Sequence, residues 1–565
     1  MRKSIFALLV ISFISCKQES VQRSSSPNTV DKEKKAMIVS AREEASQIGI
    51  DIMKNGGNAF DAMVATDLAL AVSFPFAGNI GGGGFMVYRL NNGEVGSLDY
   101  REKAPQAATE KMFLDDNGEI IPHKSTQGAL AIAVPGTVAG LREVHREFGN
   151  LRWEEVLQPA IDLALRGFEV TKNQAEGLNQ NRSLFAKLNN EKILFDKIWK
   201  EGDTIKQEHL ANTLKILQKN YGRDFYNGEI AQKMVEFLQE NGGIISLEDL
   251  KNYKPVWRRP VDFKFKDFKI YTMGPPSSGG IVLGQILKTL EDYPIQNFEH
   301  NSTEYVQLIT EISRRAYADR AHYLGDPDFV DLPIDTLLDK DYLRERMRLY
   351  SPVEATSSAD ITHGNITWTE SDETTHYSIV DAEGNAVAVT TTLNGAYGSK
   401  LYSNELGFFF NNEMDDFSAK PGFPNMFGLI GGEANKIEPE KRMLSSMTPT
   451  IVTRNNELYL VLGSPGGSTI ITTVLQTILN KTIFDMSIEE AVAAPRFHHQ
   501  WLPDEIVLEP NGFDEQTITD LKKMGYIISE RNNIVLGKMD AIYRNENGGL
   551  EGGADPRGDD AVASY

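Results

Sequence analysis

Two adjacent threonines open the run Thr374-Thr375-His376-Tyr377-Ser378-Ile379-Val380-Asp381, which can do chemistry if the chain is cut in front of it. A threonine hydroxyl inside a chain is a weak nucleophile. At an N-terminus it carries a free α-amine, so attacker and base sit in one residue. Taken alone, the run reads as the polar start of a strand, since Thr and Tyr favour strands. Other groupings shift the balance. Gly463-Ser464-Pro465-Gly466-Gly467-Ser468 sets two glycines ahead of a predicted apolar helix. Lacking Cβ, their N–H groups can converge on one developing negative charge, and a helix start adds a favourable field. A simple turn between strand and helix has the same composition. Arg101, within Asp99-Tyr100-Arg101-Glu102-Lys103-Ala104-Pro105, offers a planar fork for a carboxylate. Asn411-Asn412-Glu413-Met414-Asp415-Asp416 clusters carboxylates that suit an ammonium, a metal ion or solvent. His498 and His499 are neighbours on an extended segment and point to opposite faces, which reads as structural.

These residues must be positioned by alternating helices and strands. Helices are predicted over 41–53, closed by Gly56-Gly57, and over 61–72 with the small apolar face Ala62, Ala65, Ala69 and Val72. The glycine-rich turn 78–84 leads into a strand at 85–88. The middle, 153–349, reads as mostly helical, with strands within 253–271 before the turn Pro275-Pro276-Ser277-Ser278-Gly279-Gly280. Residues 351–373 are rich in Ser, Thr and Asp without a hydrophobic period, the composition of an exposed, cleavable connection. After Thr374, strands at 376–380 and 386–389 form a hairpin. A second hairpin pairs 450–452 with 458–461 across Asn455-Asn456, and an apolar helix follows at 470–479.

With Asn79-Ile80-Gly81-Gly82-Gly83-Gly84, Tyr317-Ala318-Asp319-Arg320, Ala494-Pro495-Arg496-Phe497-His498-His499-Gln500-Trp501 and Asp555-Pro556-Arg557 in this order, the chain resembles the γ-glutamyltransferases, N-terminal-nucleophile hydrolases, over nearly all of its length after the first 35 residues. The resemblance implies an α+β fold. It is a four-layer αββα sandwich, two antiparallel sheets between helical layers, built jointly by both fragments of a self-cleaved precursor. It implies scission between Glu373 and Thr374, giving a large subunit (36–373) and a small one (374–565) as a heterodimer. Chemistry alone leaves Thr375 as a competitor; the family pattern selects Thr374. Thr392 then hydrogen-bonds the nucleophile, and Gly466 and Gly467 form the oxyanion hole. Arg101, Ser445 and Ser446 take the substrate α-carboxylate; Asn394, Glu413 and Asp416 take its α-ammonium. Residues 421–436 match a lid loop, with Phe427 where relatives often carry Tyr. An amino-acid substrate supplies the charge that balances the carboxylates, so neither a metal nor a cofactor is expected. The implied activity is transfer of the γ-glutamyl group of glutathione and similar donors, through an acyl-Thr374, to water or to amino acid and peptide acceptors. A related acylase for glutaryl-type amides is the enzymatic alternative, opposed by Arg101 with Asp416, since a glutaryl group has no α-ammonium. An inactive binding lipoprotein on the same fold is the other, opposed by the intact Thr374, Thr392 and Gly466-Gly467 set.

The 565 residues are 41% hydrophobic and carry a formal net charge of −21, which fits a substantial core and argues against nucleic acid or an anionic membrane surface as a partner. Arg2 and Lys3 precede an apolar run, 5–14, too short to span a bilayer and shaped as a signal peptide over 1–15. Phe13-Ile14-Ser15-Cys16 resembles a bacterial lipobox, with Phe13 where Leu is usual. Cys16 is the single cysteine, so no intramolecular disulfide is possible. Lipidation there would hold an exported protein at the periplasmic face or cell envelope through the lipid alone, with 16–35 as a polar tether.

Overall fold

The strand Met37–Ser40 sends Ile38 into one hydrophobic core and Met37 and Val39 into another. Gly83–Arg89 does the same with Met86 and Tyr88 against Phe85 and Val87, and Ala386–Thr392 with Val387 and Val389 against Ala386 and Ala388. A period of two with apolar residues on both sides is what a sheet covered on both faces requires. The computed structural model that shows this describes residues 34–361, 374–530 and 534–565.

The doubly covered sheet has seven strands, ordered Ala561–Ser564, Met37–Ser40, Thr375–Val380, Ala386–Thr392, Gly83–Arg89, Val95–Asp99 and Val256–Arg258. All its neighbours are antiparallel. A second antiparallel sheet has six: Leu550–Gly553, Asp540–Arg544, Glu457–Gly463, Thr450–Arg454, Phe268–Thr272 and Val261–Phe265. The core on one side of the seven-stranded sheet is shared with helices Glu43–Lys54 and Ala59–Ser73. The core on the other side is shared with the six-stranded sheet and with helices Gly279–Leu290, Thr303–Tyr323 and Ile470–Thr482. In both sheets, strands from before and after residue 374 are neighbours, so the two stretches do not form separate bodies.

Helix Ala59–Ser73 is buried along its whole length and starts two residues earlier than its apolar pattern suggested. The Asn58 side chain accepts from the Phe60 and Asp61 N–H groups, and the Asp61 carboxylate accepts from the Asn58 N–H, a reciprocal cap that lets the helix begin inside the core. From the same helix Asp67 accepts a 2.8 Å hydrogen bond from the Tyr377 hydroxyl, tying the strand that follows Thr374 to the helical layer. Both predicted hairpins and the helix after Gly467 form. Cys16, Glu373, the signal segment and the tether up to residue 33 lie outside the described residues, while the Lys35 N–H already bonds the Tyr565 carbonyl at 2.7 Å. Among the described residues no helix is long and apolar enough to cross a membrane, and no group of three or more His, Cys, Asp or Glu is placed to hold a metal ion.

Candidate active site

Thr374 sits immediately before the strand Thr375–Val380, whose register sets Thr375 opposite Thr391. The ladder ends there, with Thr374 and Thr392 the next residues on its two sides and both lining one cavity. Thr374 borders a small cavity together with Arg101, Thr392, Asn394, Glu413, Asp416, Phe427, Ser445, Ser446 and Gly467. Strand alternation separates the two candidate nucleophiles: Thr375 does not line that cavity. Thus every predicted site residue within the described regions converges on one place, except that Gly466 borders a neighbouring cavity.

Gly466 and Gly467 have φ of 132° and 52°, backbone states that favour glycine. The Gly466 carbonyl accepts from the Thr469 N–H at 2.9 Å and from its hydroxyl at 2.8 Å, which turns the chain into the helix Ile470–Thr482. A Cβ on Gly467 would lie 2.4 Å from the Phe427 ring, and one on Gly466 would lie 2.4 Å from the Thr469 hydroxyl. Asn394 (φ 71°) donates its N–H to the Thr392 hydroxyl at 2.7 Å and its side-chain amide to the Asn412 carbonyl at 3.1 Å. The Thr392 hydroxyl is thereby held by its own turn.

Arg101 is buried and donates one guanidinium nitrogen to Glu413 and the other to Asp416. These groups, expected at opposite ends of a zwitterion, are paired with one another: the cation bridges the two carboxylates. Burial would lower the Arg101 pKa, but the attraction of Glu413 and Asp416 overrides it and holds the guanidinium above its usual range. Burial pushes both carboxyls up, with Arg101 opposing. The Tyr253 hydroxyl and the Asp99 carboxylate brace the Arg101 backbone at 2.8 and 2.9 Å. Adjacent Glu102 is fully buried, its carboxyl oxygens lack hydrogen-bond partners among the described residues, and burial raises it to about 8.

Three partners were not identified from the sequence. Arg320, on the buried helix Thr303–Tyr323, donates to the Ser446 hydroxyl at 3.3 Å and to the Ser278 hydroxyl at 2.9 Å. Burial lowers it to about 10, with Tyr317 and Asp416 opposing, and no ion pair holds it among the described residues. It is a second cation facing the serine side of the cavity. Its signal was an arginine inside an otherwise buried helix. Ser278, from the predicted Pro-Pro-Ser-Ser-Gly-Gly turn, donates its N–H and hydroxyl to the Ser445 carbonyl at 2.8 and 2.6 Å and so fixes the Ser445-Ser446 backbone. Asn425, in the predicted lid, donates to Asp416 at 2.9 Å and accepts from the Phe427 N–H at 3.0 Å, latching the loop over the cavity.

The histidines are occupied elsewhere. His376 contacts the Thr390 and Ser378 hydroxyls, and burial drives it down to about 3, so it stays neutral near pH 7. His498 bonds Thr472 and Gln500, and His499 bonds Asp504.

Residues 45–565 match the family Gamma-glutamyltranspeptidase. The chain is 44% identical over 540 residues to a glutathione hydrolase proenzyme of Escherichia coli (strain K12), covering 94% of this chain and 92% of that protein. The crystal structure of a cephalosporin acylase from Bacillus halodurans superposes with a TM-score of 0.83 at 24% identity, covering 98% and 99% of the two chains, a likeness of fold. The Helicobacter pylori gamma-glutamyltranspeptidase structure matches with a TM-score of 0.56 at 40% identity, over 59% of this chain and 96% of that one.

Proposed function

The chain belongs to the γ-glutamyltranspeptidase family, and from that premise we propose how its residues transfer the γ-glutamyl group of glutathione and related compounds to water, amino acids or peptides. It is a γ-glutamyltransferase and glutathione hydrolase made as a proenzyme. One observation carries the residue assignments: Thr374, Thr392 and Gly467 share a cavity with an arginine and two carboxylates.

In the precursor, the Thr374 hydroxyl attacks the Glu373 carbonyl carbon. The C–N bond breaks, an ester forms, and water opens it to leave a large and a small subunit. The freed α-amine, with a pKa of about 7.7–8.0 when unperturbed, is partly neutral near pH 7. It takes the hydroxyl proton as Oγ attacks the γ-carbonyl of the donor. The Gly466 and Gly467 N–H groups receive the oxyanion, a contribution of roughly 10²–10³ in rate for one such donor. The proton passes to the leaving nitrogen, the C–N bond breaks, and the acyl-Thr374 ester remains for water or an acceptor amine. Thr392 steadies Oγ from across the ladder. Arg101, Ser445 and Ser446 take the α-carboxylate, with Arg320 behind Ser446. Asn394, Glu413 and Asp416 take the α-ammonium. A glutaryl amide would leave Glu413 and Asp416 without the second cation this set is built for, which disfavours the acylase reading.

The finer fold reading is the four-layer αββα sandwich, supported by the two separate cores on either side of the seven-stranded sheet. Export with a lipid on Cys16 is supported by the basic start, the apolar run and the Ser15-Cys16 junction. N-terminal sequencing of the purified protein together with a γ-glutamyl-anilide assay tests the whole reading. A fragment beginning at Thr374 and release of the aniline are expected; an active unbroken chain would refute it.

A further inference from the structure

Gln500 is buried and uses its whole side-chain amide inside the protein. Its Oε1 accepts from His498 Nε2 at 2.8 Å, and its Nε2 donates to the Phe427 and Leu502 carbonyls, each at 3.2 Å. The other ring nitrogen of His498 meets the Thr472 hydroxyl at 2.8 Å, on the helix Ile470–Thr482 that follows Gly467. Phe427 borders the cavity that holds Thr374, and its ring lies over Gly467. Its backbone is therefore tied on the N–H side by Asn425 and on the carbonyl side by Gln500.

The turn that presents Gln500 is braced from the other side of the expected cut. Trp501, at φ 72°, accepts the Ser358 hydroxyl at its carbonyl at 2.6 Å, and its indole N–H donates to the Ser358 carbonyl at 3.1 Å. The Asp504 carboxylate accepts from the Ser358 N–H at 2.8 Å and from buried Arg314 on the helix Thr303–Tyr323. His499 Nδ1 accepts from the Trp501 N–H at 3.2 Å, which leaves Nε2 to donate to Asp504 at 3.3 Å. Burial would raise the Asp504 carboxyl, but His499 and Arg314 override it and hold it below its usual range. Burial pushes His499 down to about 4, so near pH 7 it is neutral and this single ring hydrogen serves. Ser358 precedes Thr374 in the chain and Gln500 follows it, so a turn fastened to one fragment holds the lid of the other.

Resting on the γ-glutamyl-transfer reading, we propose that Gln500 is a positioning residue for donor binding. Through the Phe427 carbonyl it keeps the ring over Gly467, and Ser358 acts at one remove by fixing the turn 499–504. Phe427 and Leu429 form the apolar side of the cavity, opposite Arg101, Glu413 and Asp416. Freeing the backbone at Phe427 lets the ring leave Gly467 and admits water beside those charges. Charge pairs weaken as the medium around them becomes more polar, so the donor is held less tightly. The Gly466-Gly467 turn keeps its own ties to Thr469, so the loss falls on KM more than on kcat.

The test measures kcat and KM for γ-glutamyl-p-nitroanilide with the cut, purified enzyme. It compares wild type, Gln500→Met, Ser358→Ala, Phe427→Ala and the two double variants that combine Gln500→Met with each of the others. Methionine keeps the volume of Gln500 and removes its hydrogen bonds. Gln500→Met should raise donor KM about fivefold, the worth of one buried hydrogen bond, with a smaller change in kcat. Ser358→Ala should raise KM in the same direction. Neither double variant should exceed its more affected parent by more than about twofold, because all three residues act through one ring. An unchanged KM in Gln500→Met, a fall in kcat alone, or effects that multiply with Phe427→Ala would overturn the role of Gln500. Effects that multiply with Ser358→Ala would overturn the brace. Should Gln500→Met remain uncut, Ser358→Ala decides, and an unchanged donor KM there overturns the proposal. A wild type that released no aniline would remove the γ-glutamyl reading itself, and this inference with it.

Discussion

Phe427 lies so close over Gly467 that a single added methyl would fall 2.4 Å from its Cδ1. The Phe427 ring and the Gly467 backbone are therefore one packed unit. Gly467→Ala should fail twice over, since φ of 52° strains a residue with Cβ and the methyl displaces the ring. We expect kcat to fall at least roughly 100-fold, in line with loss of an oxyanion donor. Phe427→Ala added to Gly467→Ala removes the clash but not the strain, so steady-state kinetics should show partial recovery. A double variant no better than Gly467→Ala would mean that the ring plays no part.

Thr374→Ala should migrate as one uncut polypeptide on a denaturing gel and release no aniline from the γ-glutamyl anilide. Thr375→Ala should still be cut, because Thr375 does not line the cavity that Thr374 shares with Arg101. Cleavage of the first variant or silence of the second would exchange the two roles.

Much of this geometry was legible from the residues. Strands with Val, Ile and Tyr at period two lie where their pattern put them, and the Pro-Gly-Gly turn does precede a helix. The small apolar face places the start of helix Ala59–Ser73 at Asp61; the helix begins two residues earlier, with Asn58 as its cap and Asp61 as its third residue. What local pattern cannot carry is contact between distant segments. Arg320 meets Ser446 across 126 residues, and Arg101 meets Glu413 across 312. Neither separation leaves a periodic trace, and the bridging of Arg101 to both carboxylates appears only once the two loops are packed.

The two buried cations should separate in their effects. Arg101→Ala strips Glu413 and Asp416 of their shared partner, a change worth about 3–5 kcal/mol for a broken buried pair, so Tm should drop along with a large rise in donor KM. Arg320→Gln leaves no carboxylate unpaired and keeps a donor for Ser446. It should raise donor KM about tenfold through lost positive potential, with kcat and Tm near wild type. Equal loss of Tm in both variants, by thermal melts, would mark Arg320 as structural.

Asp67 gives the fold a pH dependence that can be isolated. Burial raises its carboxyl from 3.8 to about 7, with the Tyr377 hydroxyl opposing. Below pH 3.8 folded and unfolded chains both hold the proton, so the group favours neither. Between 3.8 and about 7 the folded chain keeps a proton that the unfolded chain has released, so stability falls as pH rises, by about 1.4 kcal/mol per unit at the steepest. Above 7 the loss is complete. Asparagine imitates the protonated acid and can still accept from Tyr377, but it does not titrate. Asp67→Asn should therefore lose less Tm than wild type between pH 5 and pH 8, and the gap between the two melting curves should widen with pH in the direction of the variant. Parallel curves would mean that Asp67 is ionised throughout. In that case the Tyr377 hydroxyl, which anchors the strand behind Thr374, would be bonded to a buried anion rather than to a neutral acid.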